Sequence, residues 1–236
     1  MRIQELVLQT HRLTDQKDFY CLTLGLPLLA ETADSFTVQA GTTHLRFQQT
    51  ESDVLYHLAF TIPRNAFAQA KSWLQERVPL LRNQHGEDEI FSEYLDARSS
   101  EHFDTRSLYF CDAAHDILEL IVHYSLSHET EGPFGPAAIL HVSEVGLPVE
   151  DVLQLAATVK DQLALEPYPA SSPISQEFAY LGDIFGQLVV VKTGRPWLPM
   201  QAVPAAVAPV RLTISGHRER QVELWPYPYT IIMKMP

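Results

Sequence analysis

The sequence is poor in cysteine and in basic residues. Only Cys21 and Cys111 occur among its 236 residues, too few for a disulfide framework or a thiolate metal cage, which fits a reducing compartment. Lys and Arg number 17 against 29 Asp and Glu, so the net charge is −12. Because nucleic acids are held mainly by clustered Lys and Arg, we expect no nucleic-acid partner.

Long apolar runs are missing as well. No segment approaches the ~20 apolar residues that are needed to cross a bilayer, and the opening MRIQELVLQT lacks a basic-then-apolar leader. We therefore expect a cytoplasmic protein with no membrane partner. Its 46% hydrophobic content suffices for a globular core.

A repeated order of strands and helices is what the sequence does contain. Residues 3 to 9 alternate as a strand, QKDFYCLTL has helical spacing, and short strands at 35 to 39 and 43 to 48 complete a βαβββ module. The order starts again at Leu55 with YHLAFTI, the helical FAQAKSWLQERV and the strands SLYFC and ILELIVHY. Such repetition predicts the fold better than any single motif.

A third copy follows the linker SHETEGPFGP. We therefore predict a paired domain at 1–126, a linker at 127–138, and a third module with a truncated fourth at 139–236. Aligning ELVLQT, HLAFTI and EVGLPV places Glu5, His57 and Glu144 at the same position of each first strand.

Glu119 is the anomalous residue of the strand ILELIV. A carboxylate in such an apolar strand is expected to be buried, and a buried charge needs a cation or a proton. A bound metal ion would satisfy it. The pattern equally allows a solvent-facing Glu119 on an edge strand, or an ion pair with Arg46 or Arg106.

The segments YHLAFTIPRNAFAQAKSWL and RSLYFCDAAHDILELI resemble the vicinal-oxygen-chelate superfamily of glyoxalases, extradiol dioxygenases and antibiotic-resistance proteins. The resemblance implies an α+β fold in which βαβββ modules pair into a curved half-barrel sheet with helices outside. It also implies a divalent metal ion, Fe²⁺, Mn²⁺, Zn²⁺ or Ni²⁺. The implied ligands are His57, Glu119 and, from the first strand of the partner module, Glu5.

Some residues depart from the pattern of that superfamily. The usual Pro-x-Gly-Asn turn is replaced by Ala113-Ala114-His115-Asp116. Arg46 holds the position of a fourth acidic ligand, where it could bind a substrate carboxylate or neutralise Glu5. A second metal site at His141 and Glu144 would lack a ligand, because the residue matching Glu119 is taken to be Val190.

Two more residues are candidates for catalysis. Tyr109 could donate a hydrogen bond to a bound oxyanion, although a buried aromatic is an equally good interpretation. His123 shares a face with Glu119 and could act as a base beside the metal, or it is a histidine at the rim of the sheet.

Two functions are compatible with these observations. The first is a metal-dependent dioxygenase or lyase that chelates two neighbouring oxygens of a small molecule. The second is a metal-free binding protein of the bleomycin-resistance type with an aromatic cleft. The aromatic candidates for that cleft are Tyr20, Phe47, Phe60, Phe91 and Tyr109. The sequence allows a monomer or a homodimer.

Overall fold

The computed structural model describes residues 1–95, 102–168, 174–200 and 202–235. These residues form two mixed sheets of seven strands each, with three α-helices. No helix in these ranges has the length and apolar character to cross a membrane. The predicted α+β fold of repeated modules in a curved half-barrel sheet is confirmed.

The elements follow the predicted modular order. The first module contains β1 (Ile3–Thr10), α1 (Leu13–Asp18) with a π-helical continuation (Phe19–Thr23), β2 (Leu28–Glu31), β3 (Ser35–Ala40) and β4 (Thr43–Gln49). The second contains β5 (His57–Thr61), α2 (Phe67–Gln75), β6 (Ile90–Leu95), β7 (His102–Cys111) and β8 (Ile117–His123).

The later modules are shorter. After a 3-10 turn (Pro136–Ala138), the third contains β9 (His141–Val149), α3 (Val152–Leu163), β10 (Phe178–Asp183) and β11 (Gly186–Lys192). The fourth contains β12 (Val210–Ser215), β13 (Arg220–Glu223) and β14 (Tyr229–Lys234), with no helix among its described residues. Local chemistry sets the bounds of α3: the Asp151 carboxylate accepts from the Gln154 amide, and Ala164 ends the helix in a left-handed conformation.

The modules pair in an order that the sequence analysis did not anticipate. One sheet runs β13-β14-β12-β1-β4-β3-β2 and the other β10-β11-β9-β5-β8-β7-β6. The first module therefore pairs with the fourth, and the second with the third. The expected pairing of the first two modules within residues 1–126 is wrong. Each sheet joins two first strands antiparallel at its centre, Leu6 beside Leu212 and Leu58 beside Val145.

One face of each sheet lies in a shared core. Alternate residues of the central strands are fully buried there, including Leu6, Leu8, Leu58, Phe60 and Leu147, together with the apolar faces of the helices. Residues at the intervening positions of β5, β8 and β9 lie on the other face of their sheet. That face carries His57, Glu119 and Glu144.

Candidate metal centre

Three buried residues from three adjacent strands converge on the face of the second sheet that lies opposite the shared core. His57, Glu119 and Glu144 are 6%, 3% and 4% exposed. One potential ligand atom from each lies within 4.8 Å of the other two, and His57 Nε2 is 3.6 Å from Glu119 Oε2. Among the described residues this is the one cluster of three or more His, Cys, Asp or Glu with such geometry.

Strand register brings the two carboxylates together. Ala59 on β5 pairs with Glu119 on β8 at one side and with Glu144 on β9 at the other. His57 precedes Ala59 by two residues, so its side chain lies on the same face. Because Ala59 contributes only a methyl group, the space above it is left to the three larger side chains.

His57 is oriented as a neutral ligand. Its Nδ1 lies 3.1 Å from the carbonyl oxygen of Ile117, so Nδ1–H donates to that carbonyl and the lone pair of Nε2 faces the carboxylates. Burial lowers the pKa of His57 to about 4, although the hydrogen bond to Ile117 opposes the shift. The imidazole is therefore uncharged at neutral pH.

No Lys or Arg of the described residues forms an ion pair with either of the two carboxyl groups. Burial raises the pKa of Glu119 to about 7, against the opposing effect of hydrogen bonds from the Ser107 and Tyr109 hydroxyls. Burial, and then the charge of Glu119, raises the pKa of Glu144 well above its usual range. Two ligands at 2.0–2.2 Å from one ion lie no more than about 4.4 Å apart. The cluster thus fits a divalent ion after a small contraction, and its one nitrogen and carboxylate oxygens are ligands that such ions accept.

A cavity of about 320 Å³ opens above these residues. Its aromatic walls are Tyr109, Phe178, Tyr180 and Trp197. The Trp197 ring is tilted by 37° against His57, with centroids 4.9 Å apart. Trp197 lies between β11 and β12, so this part of the chain contributes to the wall of the cavity.

Comparison with known proteins bears on the fold. No family model and no curated protein matches the sequence. A candidate dioxygenase from Bacillus subtilis aligns with 100% of this chain and 86% of its own length, at 16% identity and a TM-score of 0.59. A glyoxalase I variant from Zea mays aligns with 98% of this chain and 92% of its own, at 11% identity and a TM-score of 0.54. The chain has the vicinal-oxygen-chelate fold.

Within that fold, two predicted ligands come together and the third does not. His57 and Glu119 meet, but Glu5 lies in the other sheet, where its Oε2 accepts a hydrogen bond from Thr213 Oγ1 at 3.3 Å. Arg46 lies in that sheet too, outside the cavity lining, and donates to Ser35 Oγ at 3.0 Å. The misplacement of both residues follows from the wrong choice of partner module.

Glu144 is the ligand candidate that the sequence analysis missed. It occupies the first-strand position of the partner module, which is the position assigned to Glu5. The alignment of the three first strands already contained this signal, because it made Glu144 the counterpart of Glu5 and His57. The residue of the third module that corresponds to Glu119 is Val189, which pairs with Gly146 and lines the cavity. Val190, to which the sequence analysis assigned this position, lies in the main core.

The two predicted catalytic residues have different surroundings. Tyr109 pairs with Glu119 across β7 and β8, and its ring centroid is 6.3 Å from that of His57. His123 shares the face of Glu119 but lies four residues further along β8, outside the cavity lining. Burial, and then the charge of nearby His141, lowers the pKa of His123 to about 4.

Most of the aromatic residues that were predicted to line a cleft do not line the cavity. Tyr20, Phe47 and Phe60 are fully buried in the main core, and Phe91 is 57% exposed. Tyr109 alone of that set lines the cavity.

Proposed function

We propose that this protein is a divalent-metal-dependent enzyme of the glyoxalase, dioxygenase or lyase type that acts on a small molecule. His57, Glu119 and Glu144 are the proposed ligands. The observation that carries the proposal is the convergence of one neutral imidazole and two buried carboxyl groups in the lining of a cavity. Fe²⁺, Mn²⁺, Zn²⁺ and Ni²⁺ all accept this set of ligands.

An ion bound there would supply Lewis-acid stabilisation of negative charge on substrate oxygens. The residues around it have separate tasks. Val189 offers no ligand atom at the position that corresponds to Glu119 in the third module, so an ion held by the other three residues would have room for two neighbouring oxygens of a substrate. The Tyr109 hydroxyl hydrogen-bonds to Glu119 and keeps that carboxylate in place. Trp197 and Tyr180 limit the access of water.

Metal titration tests the proposal. The protein is purified without chelator, and any bound metal is then removed. Calorimetric titration of this metal-free protein with Mn²⁺ or Zn²⁺ should show one bound ion per chain. His57→Ala, Glu119→Gln and Glu144→Gln should each weaken binding at least about 100-fold. Glu5→Gln is the matched control, since Glu5 holds the equivalent position in the other sheet, and it should bind as the wild type does. Lack of stoichiometric metal in the wild type would overturn the proposal.

The aromatic walls of the cavity favour a second candidate, a metal-free small-molecule binding protein of the bleomycin-resistance type. Aromatic rings supply apolar contact area without metal. This alternative predicts that chelator-treated protein binds aromatic ligands as tightly as metal-loaded protein does. Equal dissociation constants for the two forms would favour it over the enzyme.

A further inference from the structure

The first sheet, which contains β1, β4 and β12, repeats the arrangement of the candidate metal centre with the charges reversed. In the second sheet the two glutamates of that centre flank Ala59. The residue at the position of Ala59 in the first sheet is Val7, which pairs with Arg46 on β4 and with Arg211 on β12. Glu5, two residues before Val7, holds the position of the imidazole. One imidazole and two carboxyl groups are thus replaced by one carboxylate and two guanidinium groups.

Strand alternation directs Val7 and the two arginines away from the core. Leu6 and Leu8 lie in the shared core, so Val7 between them lies on the opposite face of the sheet. Residues that pair directly across neighbouring strands share a face, so Arg46 and Arg211 lie on that face too. Arg211 is exposed, and Arg46 and Val7 are partly exposed. A dissolved ion can therefore reach this position from solvent.

Both guanidinium groups have hydrogen-bond donors to spare. Among the described residues Arg46 makes one hydrogen bond, from Nη2 to Ser35 Oγ at 3.0 Å, whereas a guanidinium carries five N–H donors. Neither Arg46 nor Arg211 forms an ion pair with a described carboxylate, although other arginines of the chain do. Two such charges on one face of a protein with a net charge of −12 favour an anionic ligand.

Two acidic side chains on the same face have other partners. Glu5 Oε2 accepts a hydrogen bond from Thr213 Oγ1 at 3.3 Å, and Glu223 Oε2 accepts one from Thr230 Oγ1 at 2.6 Å. The hydrogen bond from Thr230 is the main cause that lowers the pKa of Glu223, and the charge of Arg211 is a smaller one. These carboxylates therefore leave both arginines available.

The spacing of the strands allows both arginines to bind one ligand. β4 and β12 lie on either side of β1, and neighbouring strands are about 4.8 Å apart, so the two arginine backbones are about 10 Å apart. Each side chain is long enough to extend over Val7. A phosphate group has a charge near −2 and at least three acceptor oxygens, so it can pair with two guanidinium groups at once. A single carboxylate has one charge and two oxygens, which suit one guanidinium.

We propose that the first sheet carries a second ligand site, at which Arg46 and Arg211 bind a phosphate group, free or esterified, over Val7. The proposal does not depend on the proposed function, because the candidate metal ligands all lie in the second sheet.

Calorimetric titration of the whole chain with inorganic phosphate, glycerol 3-phosphate and acetate at constant ionic strength tests the proposal. At least one of the two phosphates should bind at one site per chain, and the tighter of the two shows whether the site prefers a free or an esterified group. Acetate should bind at least about tenfold more weakly, because it makes fewer hydrogen bonds to charged donors. Treatment with a metal chelator should leave the phosphate affinity unchanged.

Substitutions assign the binding to residues. Arg46→Gln and Arg211→Gln should each weaken phosphate binding at least about tenfold. Arg211 is exposed, so its substitution leaves the core intact. Arg218→Gln is the matched control, since Arg218 is an exposed arginine whose Nη2 donates to the Gln162 carbonyl elsewhere, and it should bind phosphate as the wild type does. Val7→Glu should place a carboxylate between the two arginines and abolish binding, whereas the uncharged Val7→Gln should retain more of it.

Several outcomes would overturn the inference. They are the absence of phosphate binding, an equal affinity for acetate, and full affinity in both arginine variants. An equal loss in Arg218→Gln would show that phosphate responds to net charge and not to a site. A loss of affinity in chelator would place the phosphate at the metal centre instead. None of these results decides the metal titration, which tests the proposed function separately.

Discussion

Glu119 and Glu144 flank Ala59 from opposite sides and direct their carboxyl groups into the same buried space. Without a cation, one of them has to hold a proton, because two buried like charges at this distance cannot both ionise. The metal-free protein therefore carries a local cost at this site. A bound ion would convert that cost into stabilisation.

Removal of one carboxylate should stabilise the metal-free protein. With chelator present, Glu144→Gln should raise the free energy of unfolding by about 1–2 kcal/mol, because it removes a buried ionisable group beside Glu119. The variant should also lose the rise in Tm that added Zn²⁺ gives the wild type. Urea and thermal denaturation, with and without Zn²⁺, measure both effects. A Glu144→Gln variant less stable than the wild type in chelator would contradict the expectation.

Gly146 should be required for the position of Trp197. A Cβ at residue 146 would lie 2.6 Å from Trp197 Cη2, closer than such atoms approach, and 3.3 Å from His57 Cβ, which is a tight contact. Gly146→Ala should therefore destabilise the fold by roughly 1–3 kcal/mol. In a Trp197→Ala background the same substitution should cost far less, and urea denaturation of the four proteins of this double-mutant cycle measures the difference. Equal costs in both backgrounds would show that the collision is not with Trp197.

His115 lies in a strained turn between β7 and β8. Its φ of 69° is in the left-handed region, which glycine adopts without steric cost. His115→Gly should stabilise the protein by about 0.5–1 kcal/mol in urea denaturation, the steric relief outweighing the added chain entropy. Ala113→Gly, two residues earlier and without a positive φ, is the control and should destabilise. If both substitutions destabilise alike, strain at His115 is not the cause.

Asp112 and Asp116 form a buried pair in the same turn. Asp112 accepts from the amides of Ala114 and Asp116 and from Gln16 and Tyr20. Asp116 accepts from the Tyr56 amide at 2.8 Å. Burial, followed by the charge of Asp112, raises the pKa of Asp116 well above its usual range. Asp116 therefore keeps its proton to a higher pH than an exposed aspartic acid does.

Stability should fall as the pH rises through that elevated pKa. A group whose pKa is raised on folding contributes stability that is complete below its unfolded pKa and is lost as the folded form deprotonates. Asp116→Asn has no carboxyl proton to lose, so this source of pH dependence is present only in the wild type. The free energy of unfolding of the variant, minus that of the wild type, should therefore increase from pH 5 to pH 9. Asp53→Asn is the control, because it is the same substitution at a side chain that is 90% exposed. Parallel curves for the wild type and Asp116→Asn would contradict the assignment.

Periodicity was sufficient to predict the modules. His57 and Glu119 were named as candidate ligands through the resemblance to the vicinal-oxygen-chelate pattern, and alternation fixed the face of the strand on which each lies. Neither identified the third candidate ligand, because alternation is alike in every first strand and does not select a partner. β1 could pair with β5, β9 or β12 and bury the same side. Only the folded chain distinguishes Glu144 from Glu5.

Two other features lay beyond what a pattern can predict. The position that corresponds to Glu119 in the third module was assigned to Val190, whereas the structure has Val189 there. A shift of one residue in a strand moves a side chain to the opposite face. Trp197 and Arg195 lie on a loop without periodicity, so nothing in the spacing predicts that they cover the cavity. Their positions depend on backbone contacts within the loop itself.

The order of the modules makes one sheet a continuous stretch of chain and the other a split one. Residues 57–192 contain every strand of the sheet that holds the candidate metal centre, whereas the other sheet joins 3–49 to 210–234. During synthesis, the N-terminal parts of a chain leave the ribosome first. The nascent chain can therefore complete the sheet that carries His57, Glu119 and Glu144 before the two parts of the other sheet have met.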